Sequence, residues 1–292
     1  MDLAQLVKWT ITASLLLMVV ALGLRATFAD ATLLFRTLFR PPHRLLRAFV
    51  AMFIVVPAVA VAVTMVFDLP EAVKVALLAI AVSPVPPILP GKQLKFGGHA
   101  QVVFGLLVAI SLASVVVVPV SVEVLAWLFQ RDVHVGPALI AKTIGVSVLL
   151  PLVVGLAIRR VAPRAAERAA PWLTRTGTVL LLVGAALILV SAWPAITALV
   201  GSGAIVAFTA VAAIAAAVGH WLGGPDSSDR TVLAIASPMR HPGVALAIAH
   251  ATFPSDALVP AAILLLMLIG VVVTTIYGRL RMRHATTAEE PA

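Results

Sequence analysis

The sequence predicts an all-α polytopic membrane protein with about nine transmembrane helices, and three observations predict it. The 292 residues are 62% hydrophobic and 11% charged, and the mean hydropathy is +1.11, more than a soluble domain of this length needs. Apolar stretches long enough to cross ~30 Å of hydrocarbon recur along the whole chain. Two of these stretches are broken in their middle by Ser-Pro.

The loops between the apolar stretches alternate in charge. The predicted spans cover residues 5–26, 46–67, 71–97, 99–129, 137–158, 172–193, 200–222, 230–252 and 256–279. Basic residues follow the first, third and fifth spans and fill the tail, whereas the other loops carry acidic residues or few charges. The loop after the seventh span is a weak case, because Asp226 and Asp229 accompany Arg230. The positive-inside rule therefore predicts an external N-terminus and a cytoplasmic C-terminus.

The composition narrows the class of protein further. Cysteine is absent, which excludes disulfides, thiolate metal sites and thiol nucleophiles. The net charge of +9 is explained by basic loops that anchor helices in a lipid bilayer, so no nucleic-acid partner is predicted. Motifs of metalloproteases, serine hydrolases and P-loop enzymes are missing, and no enzyme activity and no cofactor are predicted. We expect one membrane domain over residues 1–284 and a disordered cytoplasmic tail over 285–292.

The two broken segments are the most informative feature of the chain. Residues 78–91 run from an apolar stretch through Ser83-Pro84 to Pro-Gly, and residues 233–243 repeat this order through Ser237-Pro238. A backbone group freed in hydrocarbon finds no water, so such breaks persist only inside protein or beside a cavity. Similar breaks in both halves of a chain indicate a transporter binding site.

The chemistry of the breaks suggests two kinds of ligand. Proline removes one amide donor and displaces the carbonyl four residues earlier, so free carbonyls near Ser83 and Ser237 are candidates for coordinating a cation or binding a substrate. The half-helices that restart near Gly91 and Gly243 present amide donors that favour an anion. The alternative for either break alone is a simple kink.

Arg240 and His241 lie near the middle of the eighth span. A guanidinium at the bilayer centre costs at least ~2.5 kcal/mol, so Arg240 either caps carbonyls at the break as a structural cation or faces a polar cavity and binds an anion. His241 either titrates in a proton-coupled step or acts as a hydrogen-bonding support. Ser147 is expected to join helices by a hydrogen bond.

Lys92 and Gln93 follow the first break. Lys92 is a candidate substrate-binding cation that points towards the crossing, and its alternative role is an anchor that extends to lipid headgroups. Gln93 is a candidate hydrogen-bonding partner for a ligand.

The chain resembles the bile acid:sodium symporter family from Leu16 to about Tyr277. The resemblance rests on residues 36–42 (RTLFRPP), Ser83-Pro84 where the family often has Cys-Pro-Gly-Gly, Arg230-Thr231, and residues 240–247 (RHPGVALA), a form typical of bacterial members. It implies two inverted repeats (residues 5–130 and 137–281), a core domain with two crossing discontinuous helices, a panel domain beside it, and a multi-pass protein of the bacterial inner membrane.

The resemblance also implies that the usual pair of sodium sites is changed. The family's sodium-binding positions fall on Leu89-Pro90, Val103, Leu107, Ala236 and Arg240. These residues lack a carboxylate and hydroxyl ligands, and Arg240, with Lys92, places fixed positive charge where the ions would lie. We expect these side chains to replace sodium electrostatically.

The predicted function is therefore a carrier of a small organic anion that works by alternating access, with uniport, exchange or proton coupling. The alternatives are a symporter that still binds sodium through carbonyls at Ser83 and Ser237, an arsenite exporter, and a membrane sensor or scaffold that transports nothing.

Overall fold

The computed structural model describes residues 3–25, 43–86, 88–130, 136–252 and 258–288, and over these ranges the chain forms helices and no strands. The helices are α1 (Leu3–Arg25), α2 (His43–Val66), α3 (Glu71–Val82), α4 (Leu89–Lys95), α5 (Ala100–Leu128), α6 (Pro137–Val161), α7 (Pro163–Ala198), α8 (Ala204–Leu222), α9 (Ser227–Ala236), α10 (Pro242–Thr252) and α11 (Leu258–Ala288). The all-α class is confirmed. The motif at residues 36–42 lies outside the described residues.

Six of the described helices are long and apolar enough to cross a membrane, namely α2, α5, α6, α7, α8 and α11. Helix α1 contains a shorter apolar stretch, Trp9–Arg25. The predicted third and eighth spans each consist of two short helices, α3 with α4 and α9 with α10. A multi-pass helical membrane protein is therefore supported, and the number of nine crossings stays a prediction.

The C-terminal helix is longer than the sequence suggested. Helix α11 continues to Ala288, into the segment that we expected to be a tail from residue 285. Residues 289–292 lie outside the described part of the chain.

Helices α1, α6 and α7 pack on one another and form the first of two groups. Gly23 and Gly155 let α1 and α6 approach closely, because a Cβ atom on Gly23 would lie 2.5 Å from the Leu152 carbonyl oxygen. Nearer the start of α1, Gly177 of α7 lies against Ser14 and Met18. Close backbone contact of this kind is a common way for membrane helices to associate.

The second group packs around α3. Nine of the 12 residues of α3 are buried, and its neighbours include α2, α10 and α11. Helix α9 packs against α4, α8 and α11. A short helix that is apolar on all sides is stable only inside such a bundle.

The two groups meet mainly where α6 packs on α5 and α10 and where α7 packs on α11. One helix on each side of this contact region contains a π-helical segment, Val50–Val55 in α2 and Gly145–Leu149 in α6. A proline follows each segment closely, Pro57 in α2 and Pro151 in α6. Proline cannot donate to the preceding turn and clashes with it, and the wider π turn accommodates this defect.

Candidate functional site

Arg240 lies between α9 and α10, and only 2% of its surface is exposed. Its Nε atom donates to the carbonyl of Ser237 at 3.0 Å, and Nη1 donates to the carbonyl of Ser83 at 3.2 Å. Nη2 donates to the carbonyl of Met52 at 2.6 Å. One guanidinium therefore joins the ends of α3 and α9 to the π-helical segment of α2.

The Met52 carbonyl is available because α2 is interrupted at this point. In a regular α-helix it would accept from the amide of Val56, but that amide donates to the carbonyl of Ala51. In π-helical register the donor would be residue 57, which is a proline and has no N–H. Arg240 supplies the missing donor.

The two serine carbonyls lack helical donors for related reasons. The amide four residues after Ser83 would belong to residue 87, another proline. The amide four residues after Ser237 belongs to His241, and it donates instead to the carbonyl of Pro84 at 2.7 Å. The prolines and the contact between the two breaks therefore leave free the carbonyls that hold Arg240.

The two breaks share one further detail. The Ser83 hydroxyl donates to the carbonyl of Ala79 at 2.6 Å, and the Ser237 hydroxyl donates to the carbonyl of Leu233 at 2.8 Å. In each case a serine at the end of a helix bonds the carbonyl four residues earlier, so both hydroxyl protons are used locally.

His241 connects this centre to the other helix group. Its Nδ1 accepts from the amide of Gly243 at 3.1 Å, and its Nε2 lies 3.2 Å from the hydroxyl of Ser147 in the π-helical segment of α6. Ser147 donates its own proton to the carbonyl of Thr143 at 2.6 Å. These bonds assign the neutral tautomer with hydrogen on Nε2, which donates to Ser147. The expected helix-joining role of Ser147 is confirmed.

The candidate residues Lys92 and Gln93 in α4 form hydrogen bonds to α11 and to α9. Lys92 Nζ donates to the carbonyl of Val271 at 2.8 Å and to the Thr274 hydroxyl at 2.6 Å, so it joins α4 to α11. Gln93, which is 1% exposed, donates through Nε2 to the carbonyl of Val232 in α9 at 2.8 Å. Both side chains fix the half-helix after the first break.

The two candidate glycines differ in their surroundings. A Cβ atom on Gly91 in α4 would meet nothing within 4 Å, so this position is open. The amide of Gly243 already donates to the ring of His241. Hydrogen bonds therefore join Ser83, Ser237, Arg240, His241 and Gly243 into one cluster. Gly91, Lys92 and Gln93 lie in α4, the helix that follows the first break.

In the described part of the chain, the buried positive charge of the cluster faces backbone carbonyl dipoles. Within the described ranges no carboxylate forms an ion pair with Arg240. Those ranges also contain no group of three His, Asp or Glu residues that could hold a metal ion. A buried charge is tolerated when hydrogen bonds replace its hydration, and three carbonyls do so here.

Met52 belongs to the cluster, although the sequence did not identify it as a site residue. An apolar residue shows no polar signal, and its carbonyl matters only because α2 is π-helical there. The signal that was available is Pro57 inside an uninterrupted apolar span, since a proline within a helix always leaves a carbonyl without its donor.

Comparison with known proteins gives one family match. A family model described as the Sodium Bile acid symporter family matches residues 12–199, which include the first break and the π-helical segments of α2 and α6. No curated protein matches the chain significantly. Membership in this family implies an organic anion substrate, sodium coupling and a membrane environment. The chain belongs to the sodium bile acid symporter family, and it is a membrane transporter rather than an enzyme.

Proposed function

We propose that this protein carries a small organic anion across the bacterial inner membrane by alternating access, and that it does so without the sodium pair typical of its family. The observation that carries this proposal is the guanidinium of Arg240, bonded to the carbonyls of Ser83, Ser237 and Met52. A fixed cation already occupies the oxygen atoms that a mobile cation would need.

The positions that correspond to the family's sodium ligands support the same view. Leu89, Val103, Leu107 and Ala236 are buried to 2% exposure or less, and they are apolar. A hard cation such as Na⁺ prefers oxygen ligands, and these side chains offer none. A symporter that binds sodium through the Ser83 and Ser237 carbonyls would first have to displace Arg240.

An arsenite exporter and a membrane sensor or scaffold receive less support. An arsenite exporter would be expected to use thiol ligands, and the chain has no cysteine. A sensor or scaffold is at odds with a family of transporters.

We further propose nine crossings, with α3–α4 and α9–α10 as two discontinuous helices that cross in the membrane. The two breaks meet through His241 and Pro84, and each is preceded by a serine with the same hydroxyl bond. In this arrangement residues 5–130 and 137–281 are the inverted repeats of a single domain. The N-terminus is external and the C-terminus is cytoplasmic.

Helices α1, α6 and α7 would then form the panel, and the remaining helices the core. The bond between His241 and Ser147 crosses from one to the other. Rocking of the panel away from the core would break this bond and open the region beside Arg240 to an anion. The charge of Arg240 would attract the anion, and Lys92 would add a weaker attraction from α4.

A substrate screen in two salts tests the proposal. Purified protein is melted with acetate, pyruvate, succinate or cholate in NaCl and in KCl, because a ligand at 100 times its Kd stabilises the folded form by ~2.7 kcal/mol. Uptake of the stabilising acid into proteoliposomes is then measured in both salts. Equal uptake in both salts is expected, and uptake that requires Na⁺ would contradict the proposal.

Arg240→Ala tests the residue itself. We expect uptake of the chosen acid to be lost while the protein still inserts into the membrane, because the positive charge at the crossing is gone and the carbonyls of Ser83, Ser237 and Met52 lose their donor. Arg168→Ala, at an exposed position in α7, is the matched control and should transport normally. Normal flux in Arg240→Ala would refute the assigned role.

A further inference from the structure

A pocket lies at one end of the bundle, between the start of α2, the start of α5, the end of α8 and the start of α9. Its polar lining includes Arg44, Arg47, Gln101 and Asp229. Its apolar lining consists of Leu45, Ala48, Val102, Leu106, Leu222 and Leu233, with Gly223 and Val232 between them. Helices α1, α6 and α7 do not line it, so it is separate from the region where His241 meets Ser147.

The charges in this pocket do not cancel. Asp229 forms an ion pair with Arg44, with Oδ2 at 3.0 Å from Nε, and only 11% of the Asp229 side chain is exposed. Arg47 is partly buried, and the described part of the chain gives it no ion pair or hydrogen bond. Asp229 interacts electrostatically with both arginines, and among the lining residues two guanidinium groups face this one carboxylate. The lining therefore carries one more positive than negative charge.

The pocket lies at the level expected for lipid headgroups. It is formed by the ends of membrane-crossing helices α2, α5 and α8. Trp221, next to the lining residue Leu222, is 80% exposed, and exposed tryptophan at a helix end is typical of the membrane interface. The apolar lining continues from this end into the bundle, where Leu106 and Leu233 are buried.

We infer that this pocket binds one anionic phospholipid, with the phosphate on Arg47 and the free N–H groups of Arg44, and with an acyl chain against Val102, Leu106 and Leu233. Arginine binds phosphate strongly because its planar N–H groups match the phosphate oxygens. Basic pockets between membrane helices bind anionic headgroups in this way. A zwitterionic lipid would bring its own ammonium group close to Arg47. A small anion without a tail would leave the apolar lining unfilled.

Native mass spectrometry of the delipidated full chain tests this site. The probes are dioleoylphosphatidylglycerol, dioleoylphosphatidylcholine and glycerol 1-phosphate, which is the headgroup phosphate without a tail. We expect wild type to retain one phosphatidylglycerol about tenfold better than phosphatidylcholine, which corresponds to ~1.4 kcal/mol. Glycerol 1-phosphate should not compete.

Two variants and a control locate the binding. Arg47→Gln removes the uncompensated charge, and Val102→Trp fills the lining while every charge is kept. Both should lose the preference for phosphatidylglycerol, whereas Arg168→Gln in α7 should keep it. Arg47 acts on Asp229 through charge alone and forms no hydrogen bond or ion pair within the described ranges, so its replacement should change the lipid-free melting temperature only slightly. Val102→Trp keeps this charge and gives a second, independent test of the site.

The remaining outcomes overturn the inference. Equal retention of the two lipids would show that Arg47 does not select the headgroup. Competition by glycerol 1-phosphate would show a phosphate site without a lipid tail. Absence of retained lipid in wild type would show that the pocket binds no phospholipid. Loss of the preference in Arg168→Gln would place the lipid elsewhere.

Discussion

The Nη2 atom of Arg240 lies 2.6 Å from the carbonyl oxygen of Met52, which precedes it by 188 positions in the chain. This contact depends on Pro57, which is adjacent to neither residue in the chain. Proline has no amide hydrogen, so position 57 cannot donate to the Met52 carbonyl. The defect in α2 and the breaks after α3 and α9 therefore share a single donor. The guanidinium completes the hydrogen bonding of three helices at once.

Replacement of Arg240 by methionine should destabilise the protein strongly. Methionine keeps much of the side-chain volume, but it leaves the carbonyls of Ser83, Ser237 and Met52 without donors. Each buried unsatisfied group costs ~1–3 kcal/mol, so the loss should be at least ~3 kcal/mol. Melting curves in detergent would measure it, with Arg168→Met as a surface control. Equal melting temperatures for the two variants would show that the three bonds do not hold the helices together.

Replacement of Arg240 by glutamine should make stability depend on sodium. The shorter neutral side chain leaves free the carbonyl oxygens of Ser83, Ser237 and Met52, which all face the position of the guanidinium. A small cation can then bind these oxygens. At a few times its Kd, Na⁺ would stabilise the variant by about 1 kcal/mol relative to choline. Wild type should melt at the same temperature in both salts, because its own cation fills the position. If sodium raised the melting temperature of wild type, or failed to raise that of the variant, the idea that Arg240 replaces sodium electrostatically would be contradicted.

The breaks themselves were predictable from the sequence. Ser83-Pro84 and Ser237-Pro238 interrupt apolar stretches, and the physical cost of such an interruption in a bilayer marks them at once. The structure ends α3 at Val82 and α9 at Ala236, next to these pairs. A proline acts through its own residue and the preceding turn, so its effect is local and visible in the sequence.

The partners of the charged residues were not predictable in the same way. The sequence predicts that Lys92 points towards the crossing or towards lipid headgroups, but it did not identify Val271 and Thr274 in α11 as the groups that Lys92 bonds. For Arg240 the sequence allows a carbonyl cap or an anion-binding group, and the choice between them depends on which carbonyls lie within reach. Contacts between distant parts of the chain are set by helix packing, which a single sequence does not reveal.

The bond between His241 and Ser147 should contribute a small, measurable coupling between the two helix groups. Ser147→Ala removes the acceptor, and His241→Phe removes the donor while keeping a ring of similar shape. A double-mutant cycle on apparent stability should give a coupling of ~0.5–1.5 kcal/mol, the usual range for one hydrogen bond. His241→Phe should cost more than Ser147→Ala, because it also removes the acceptor for the Gly243 amide.

A second readout separates a role in movement from a role in structure. If the panel must leave the core during transport, Ser147→Ala weakens only the state in which the bond is formed. The rate of anion exchange per folded molecule should therefore change, even where the amount of folded protein stays nearly the same. Nitrogen NMR of labelled histidine should show His241 with hydrogen on Nε2. A protonated Nδ1 would contradict the assigned bonds, and additive effects in the cycle would show that the two groups are not coupled.

The closest backbone contact beside the second break should be intolerant of any side chain. A Cβ atom on Gly219 in α8 would lie 2.5 Å from the Leu233 carbonyl oxygen and 2.7 Å from the Ser237 hydroxyl oxygen. Gly219→Val therefore forces α8 away from α9, disturbs the Ser237 bond and displaces the carbonyl that holds Arg240. We expect the free energy of unfolding to fall by ~1–3 kcal/mol or more, the cost of strain in packed cores.

Gly91→Ala is the matched control for Gly219→Val. Its added Cβ would meet nothing within 4 Å, and alanine favours helix over glycine by ~0.5–1 kcal/mol. The two melting temperatures should move in opposite directions, and a Gly219→Val protein that melts like wild type would show that α8 and α9 do not pack this closely.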